Sequence, residues 1–315
     1  MPLLYHKPPR DGIEAMTEPR DLPYCFPPHP SPRKPTFQMP AGSVDTHFHI
    51  FGPPEVFPWS PPEKRVYTPP ASPLAHYHQL MEHLGIDRGV VIQPMAHGHD
   101  NSVTLDAIAR SDGRLMGIAK VDDTFTDADL DALHDGGIRG VRFNMMTESG
   151  GTGNLAPIET VVDRIKDHGW SLTIHAKPDS IVANAGWLAA MPVPTIIDHY
   201  CRISFADGTD QPAFHTLIDL LKDYEHIWAK ISCIERCSAL GPPYADAPEF
   251  AHEMVESAPD RLLWGTDWPH SQRYTIGEQC DTGELIDLIP ELVPDAATRY
   301  RILVKNPLKL FDFAT

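Results

Sequence analysis

His47 and His49 stand two apart in the run Ser43-Val44-Asp45-Thr46-His47-Phe48-His49-Ile50-Phe51-Gly52, and chemistry can be read from this pair first. The run has the β-branched and aromatic residues of a strand and no helical period. Side chains alternate along a strand, so both imidazoles leave one face, one pleat apart. So placed at a strand end, they can grip one metal ion or one polarised oxygen. The chain has 17 histidines, so a His-x-His pattern alone says little. His76/His78 falls in a helix-like stretch, where residues two apart do not face each other. His97/His99 lies just past a strand, in a loop with glycine. Only His47/His49 has the strand context.

Further reactive side chains recur at intervals: Arg142 and Asn144; His175 and Lys177; Asp198, His199 and Arg202; Ser232, Glu235 and Arg236; Asp267 and His270. Imidazoles can polarise a carbonyl, a carboxylate can activate water, and arginine forks hold carboxylate or sulfonate. Cys201 and Cys233 also sit at strand ends, but no Cys–His couple is visible nearby in sequence. Gly150-Gly151-Thr152-Gly153 lacks the following lysine and helix of a phosphate loop.

The elements that must position these residues follow a strand-then-helix rhythm. Strands are expected at 43–50, 88–94, 114–121, 137–144, 171–177, 194–200, 226–232 and 262–268. Amphipathic helices are expected at 73–84, 100–111, 126–135, 157–168, 180–190, 211–223 and 247–257, with a last helical region over 284–313. Eight short apolar strands, each followed by a helix, imply parallel strands closing into a (β/α)8 barrel. Each group of reactive residues falls at the C-terminal end of a strand, where such barrels place their chemistry. The expected organisation is a single-domain barrel over 43–315, preceded by an extended Pro-rich arm over 1–42 that lies on the domain or on a neighbouring subunit.

Net charge is -17 over 315 residues, which argues against nucleic acid or an anionic membrane as partner. A small anionic substrate meets local charge and is not excluded. The five cysteines form no C-x-x-C pair, and no apolar run reads as a membrane span or signal core. The expectation is a cytoplasmic protein, with the arm hinting at a homo-oligomer.

His47-Phe48-His49, His175, His199 and Asp267 together resemble the amidohydrolase superfamily. Within it, Asp45-Thr46-His47-Phe48-His49-Ile50-Phe51-Gly52-Pro53, Gly140-Val141-Arg142-Phe143-Asn144, Asp198-His199 and Trp264-Gly265-Thr266-Asp267-Trp268-Pro269-His270 resemble the 2-pyrone-4,6-dicarboxylate lactonase group. The resemblance covers about 43–312. It implies hydrolysis of an acidic lactone in the breakdown of aromatic compounds. Asp267 resembles the base that deprotonates water; His47, His49 and His199 resemble the groups polarising the lactone carbonyl. Arg142, Arg202 and Arg236 resemble the residues holding substrate carboxylates, with Tyr67 a loop tyrosine of the same pocket. Asn144, His97 and His270 are expected to line it.

The pyrone lactonase works without metal and resembles a tyrosine at the position of His175. With that histidine, His47, His49, His175 and Asp267 resemble a full mononuclear ligand set. The cofactor expected is one divalent ion, zinc, with metal-free catalysis by histidine donors as the alternative. The loop after strand 4, residues 145–153, lacks a basic residue for a second carboxylate. The expected substrate is therefore a muconolactone-type ring carrying a carboxylate or sulfonate. Rival readings are a metal-dependent decarboxylase, an isomerase of sugar-acid lactones, and a barrel that only binds an anion.

Overall fold

Runs rich in valine, isoleucine and leucine form eight strands: β1 (Val44–Phe48), β2 (Arg88–Ile92), β3 (Leu115–Ala119), β4 (Ile138–Met145), β5 (Ser171–Ala176), β6 (Thr195–Ile197), β7 (Ile227–Ile231) and β8 (Leu262–Trp264). The computed structural model describes residues 22–146, 154–275, 277 and 279–313. The first half of the arm and most of the loop after β4 lie outside the described residues. Neighbouring strands pair in parallel in the order β1 to β8. Past β8, Phe48 bridges Trp268, the Asp267 amide donates to the His47 carbonyl at 2.8 Å and the His49 amide to the Trp268 carbonyl at 2.8 Å. These bonds close the sheet into a (β/α)8 barrel.

Helices cover the outside: α1 (Leu74–Leu84), α2 (Ser102–Ala109), α3 (Asp127–Asp135), α4 (Ala156–Ile165), α5 (Pro178–Ala183), α6 (Ala185–Ala189), α7 (Pro212–Asp223), α8 (Ile234–Cys237), α9 (Pro248–Ser257), α10 (Thr282–Asp287), α11 (Ile289–Leu292), α12 (Ala296–Tyr300) and α13 (Asn306–Leu310). The last helical region, expected over 284–313, consists of the short pieces α10 to α13, with a π-helical turn at Arg301–Lys305 before α13. Pro290 and Pro294 cannot donate to a continuous helical ladder there.

Both faces of a parallel sheet are buried, so successive residues enter different cores. Val91, Ile197, Ala229 and Ile231 pack outward with the helices. Val44, Val90, Ile118, Ile196, Trp228 and Leu263, from six strands, pack with one another and with Phe311 and Phe313. This second cluster fills the lower barrel interior, as barrels of this kind require.

Two local features aim the site. Asp45 pairs with Gly89 and Phe48 with Val91, three residues on β1 against two on β2. That irregularity is a β-bulge, which re-aims the side chains after it. Val44 faces the interior cluster, and beyond the bulge His47 faces inward as well. Gly265 makes the closure possible, since a Cβ there would lie 2.7 Å from the His47 nitrogen and 2.8 Å from its Cβ. The described part of the arm runs across two loops. The Cys25 amide donates to the Thr68 carbonyl at 2.9 Å and the Phe26 amide to that of Arg273 at 2.8 Å.

Candidate active site

Three imidazoles and one carboxylate converge at the seam between β1 and the segment after β8. Asp267 Oδ1 lies 3.6 Å from His47 Nε2, 3.7 Å from His49 Nε2 and 3.9 Å from His199 Nε2. These separations exceed a hydrogen bond and leave a space shared by four polar atoms. Asp267 itself has φ 58, a left-handed conformation uncommon outside glycine.

Asp45 braces the seam from behind. Its carboxylate accepts from the His47 and Thr266 amides at 3.0 and 2.9 Å, and from the Thr266 and Tyr77 hydroxyls at 2.6 and 2.9 Å. One side chain thus ties β1, the segment after β8 and α1 together. Burial pushes its pKa up to about 6, against the pull of those four donors.

β6 stops at Ile197, earlier than the sequence suggests, because the chain turns left-handed. His199, Tyr200, Cys201 and Arg202 have φ of 54, 50, 56 and 56. Left-handed residues of this kind cost roughly 1–2 kcal/mol each and normally occur singly. This turn points His199 at Asp267 and leaves Arg202 half-buried near Cys233 Sγ, at 3.9 Å. Among the described residues Arg202 makes no ion pair with a carboxylate. The other two arginines are engaged: Arg142 Nε donates to Asp198 Oδ2 at 2.8 Å. Arg236 Nε lies 3.6 Å from Glu235 Oε1 and 3.8 Å from Asp267 Oδ2, and its NH2 donates to the Ser271 carbonyl.

Beneath His47 lies a buried group that sequence reading missed. Lys230 on β7 is 0% exposed; its Nζ is 3.0 Å from Asp198 Oδ1 and 3.1 Å from His47 Nδ1. Asp198, also 0% exposed, lies 3.4 Å from His47 Nδ1. The signal was present in the sequence: one lysine inside the apolar run Ile227–Ile231, on the same pleat as Trp228, is unusual for a strand covered on both faces. Cys233 was set aside too, yet its Sγ lies 3.2 Å from Asp267 Oδ2. Its thiol pKa is raised by burial and by Asp267 and Glu235, so it is a neutral donor and no nucleophile.

Burial dominates the imidazoles. It lowers His47 to about 3 and His49 to about 4, and holds His199 and His175 well below the usual histidine range. All four are neutral at pH 7. Burial opposes the charge on Asp267 and Asp198, but His199 and His47, once protonated at low pH, and Arg236 hold Asp267 well below the carboxylate range. Lys230, His47 once protonated, and Arg142 do the same for Asp198.

The remaining expected residues are spread around this centre. The half-buried His175 ring stands edge-on to His199, centroids 5.5 Å apart, and neither of its nitrogens has a hydrogen-bond partner among the described residues. Tyr67 is buried with its hydroxyl against Ser271. His270 is buried, its Nε2 3.1 Å from Thr282 Oγ1 and its Nδ1 3.5 Å from Glu235 Oε1. His97 is used in the loop after β1: the Gly52 amide donates to its Nε2 at 3.1 Å, and its Nδ1 donates to the Pro58 carbonyl at 3.0 Å. Asn144 is exposed, its amide against Met95 Sδ.

His47, His49 and Asp267 each bring one potential ligand atom to within 4.8 Å of the others, so a metal ion could be held there. Ligand atoms on tetrahedral zinc lie about 3.4 Å apart, close to the spacing seen. Among the described residues, His47 Nε2 is buried without a hydrogen-bond partner. His175 joins none of the groups of candidate ligands among the described residues.

Residues 44–313 match the model of the amidohydrolase family. A 4-sulfomuconolactone hydrolase of Rhizobium radiobacter is 43% identical over 291 residues, 92% of this chain and 96% of that protein. A 2-pyrone-4,6-dicarboxylate hydrolase of Comamonas testosteroni is 37% identical, covering 89% and 93%. The apo crystal structure of an Agrobacterium tumefaciens protein, 30% identical, superposes with a TM-score of 0.75 over 89% of this chain and 99% of that one.

Proposed function

The chain belongs to the amidohydrolase family, and from that membership we propose that it hydrolyses an acidic lactone formed in the breakdown of aromatic compounds. The ring is of the muconolactone or pyrone-carboxylate type, carrying a carboxylate or sulfonate. The observation that carries this reading is the convergence of three imidazole Nε2 atoms on Asp267 Oδ1 at 3.6, 3.7 and 3.9 Å, beside Arg202, which has no carboxylate partner among the described residues. The two relatives named as lactone hydrolases support it.

The residues divide the work. Arg202 takes the anionic substituent, and the outer guanidinium nitrogens of Arg142 and Arg236 narrow the position of the ring. Imidazole donors face the lactone carbonyl, where negative charge develops, in a buried site. Asp267 takes a proton as water adds to the carbonyl carbon. The ring C–O bond then breaks, and the departing oxygen recovers that proton from Asp267. The product is an open-chain acid. Because the imidazoles are neutral, Asp267 remains the charged acceptor throughout the neutral range.

A divalent ion is the second way to polarise the same carbonyl. Zinc suits imidazole and carboxylate donors, would be held by His47, His49 and Asp267 with His175 nearby, and supplies a Lewis acid when bound. The five cysteines are all free and buried, which supports a reducing, cytoplasmic setting.

The test is to incubate the protein with 4-sulfomuconolactone and with 2-pyrone-4,6-dicarboxylate, following acid release by pH-stat and ring loss by ultraviolet absorbance. One acid equivalent per ring opened supports the hydrolase. Ring migration without acid release would make it an isomerase, and carbon dioxide release a decarboxylase.

A further inference from the structure

His47 and His49 leave the same strand two residues apart, yet their inner nitrogens meet opposite partners. His49 Nδ1 lies 2.8 Å from the Ile92 carbonyl oxygen, which can only accept. Its proton is therefore on Nδ1, and Nε2 presents a lone pair. His47 Nδ1 lies 3.1 Å from Lys230 Nζ, and farther, at 3.4 Å, from Asp198 Oδ1. Burial lowers the lysine pKa, but the Asp198 carboxylate 3.0 Å from Nζ favours the ammonium, which can only donate. Asp198 holds Lys230 through Oδ1 at 3.0 Å and Arg142 through Oδ2 at 2.8 Å. The nearer partner asks Nδ1 to accept, which puts the proton of the neutral ring on Nε2.

We infer that Lys230 is a positioning residue that locks His47 as its Nε2–H tautomer, making it a hydrogen-bond donor to the lactone carbonyl and a poor metal ligand. The seam then offers a donor, His47, and an acceptor, His49, at 3.6 and 3.7 Å from the same carboxylate oxygen. This accounts for the buried His47 Nε2 that has no partner among the described residues. An N–H aimed at the site is satisfied when a substrate oxygen arrives, and buried polar atoms otherwise find partners. It also accounts for a lysine at 0% exposure in a barrel interior, a place lysine occupies only when paired. For His47 to hold a metal through Nε2, its proton would have to move to Nδ1 and turn to Asp198, against the Lys230 ammonium. Lys230 therefore biases the site away from metal.

The kinetic arm of the test rests on the lactonase reading; the structural arm does not. Protein labelled with 15N in histidine and cleared of metal is examined by long-range 1H–15N correlation, with His47→Gln and His49→Gln assigning the two rings. The expected spectrum has a protonated, pyrrole-type Nε2 on His47 and the reverse on His49, which serves as internal control. A His47 ring protonated on Nδ1, or averaging between tautomers, overturns the proposal without any variant at position 230. Lys230→Met should move the His47 proton to Nδ1 and tighten zinc binding by about 10-fold or more, measured by calorimetry, as changes behind a ligand commonly shift affinity by that much. Zinc that binds the wild type tightly through His47, and more weakly in Lys230→Met, would also overturn it. On 4-sulfomuconolactone, Lys230→Met should lower metal-free kcat by about 10²- to 10⁴-fold with little change in KM. Lys230→Gln, whose amide can donate to Nδ1, should recover part of that loss. If no lactone is opened by any form, the functional reading fails while the tautomer result still decides the role of Lys230.

Discussion

The lower and upper halves of the barrel interior are built from the same strands and hold opposite kinds of residue. Below, Val44, Val90, Ile196, Trp228 and Leu263 close on Phe311 and Phe313. Above, one or two pleats along the same strands, stand His47, Lys230, Asp198 and Arg142, in pairs of 2.8 to 3.4 Å. The lower half is apolar burial, which stabilises at roughly 25 cal/mol per Å² and asks for no particular geometry beyond close packing. The upper half removes charges from water, which costs stability unless every partner is in place, and gains a dry, preset field in return. Stability and chemistry are thus separated along the barrel axis, and substitutions in the two halves should fail in different ways.

The largest expected effect belongs to the upper half. Asp267→Asn keeps the shape but removes the proton acceptor, and kcat should fall by about 10²- to 10⁴-fold while the thermal midpoint holds or rises. A large drop in midpoint instead would mean the carboxylate is structural. The lower half should do the reverse: Trp228→Ala empties a fully lined interior and should cost about 3–5 kcal/mol in urea unfolding, with kcat little changed wherever the protein stays folded. Loss of activity with unchanged stability would break the division between the halves.

A smaller effect is expected for Arg202→Met. Without the Arg202 guanidinium, KM for an anionic lactone should rise about 10- to 100-fold, with kcat moving less. An equal loss for a lactone lacking the anionic group would show that Arg202 acts on the turn and not on the substrate. The smallest effect is graded with pH. Burial lowers His49 to about 4 and His47 to about 3, below the roughly 6.5 of an unfolded histidine. Between these values the unfolded chain binds more protons, so stability falls as pH falls. The loss should reach roughly 1.4 kcal/mol per pH unit for each such histidine below about pH 6.5. Urea midpoints at pH 7, 6 and 5 measure it; His47→Gln and His49→Gln should flatten the slope.

Much of this was legible in the residues. The eight strands appear where the β-branched runs stand, and the reactive side chains gather at their C-terminal ends, because a covered parallel strand must be apolar until it emerges from the barrel. What escaped reading was local and three-dimensional. The left-handed turn at 199–202, which ends β6 early and frees Arg202, has no glycine to announce it. The bulge in β1 leaves no trace in the alternation of a five-residue strand. Lys230 and Cys233 come from β7 and the turn after it, and only the closing of the barrel brings them under His47 and beside Asp267.

The sequence by itself determined the barrel, its polarity and the identity of Asp267 and the histidines as neighbours, since periodicity and strand-end position suffice for those. It could not decide what each histidine does. An imidazole has two nitrogens and one proton, and the partner of the inner nitrogen decides which outer atom donates. For His49 that partner is a backbone carbonyl of β2, and for His47 it is an ammonium on β7, 183 residues away. Two residues alike in type and spacing therefore differ in role, because a hydrogen-bond direction is set by what lies across the barrel and not by what lies along the chain.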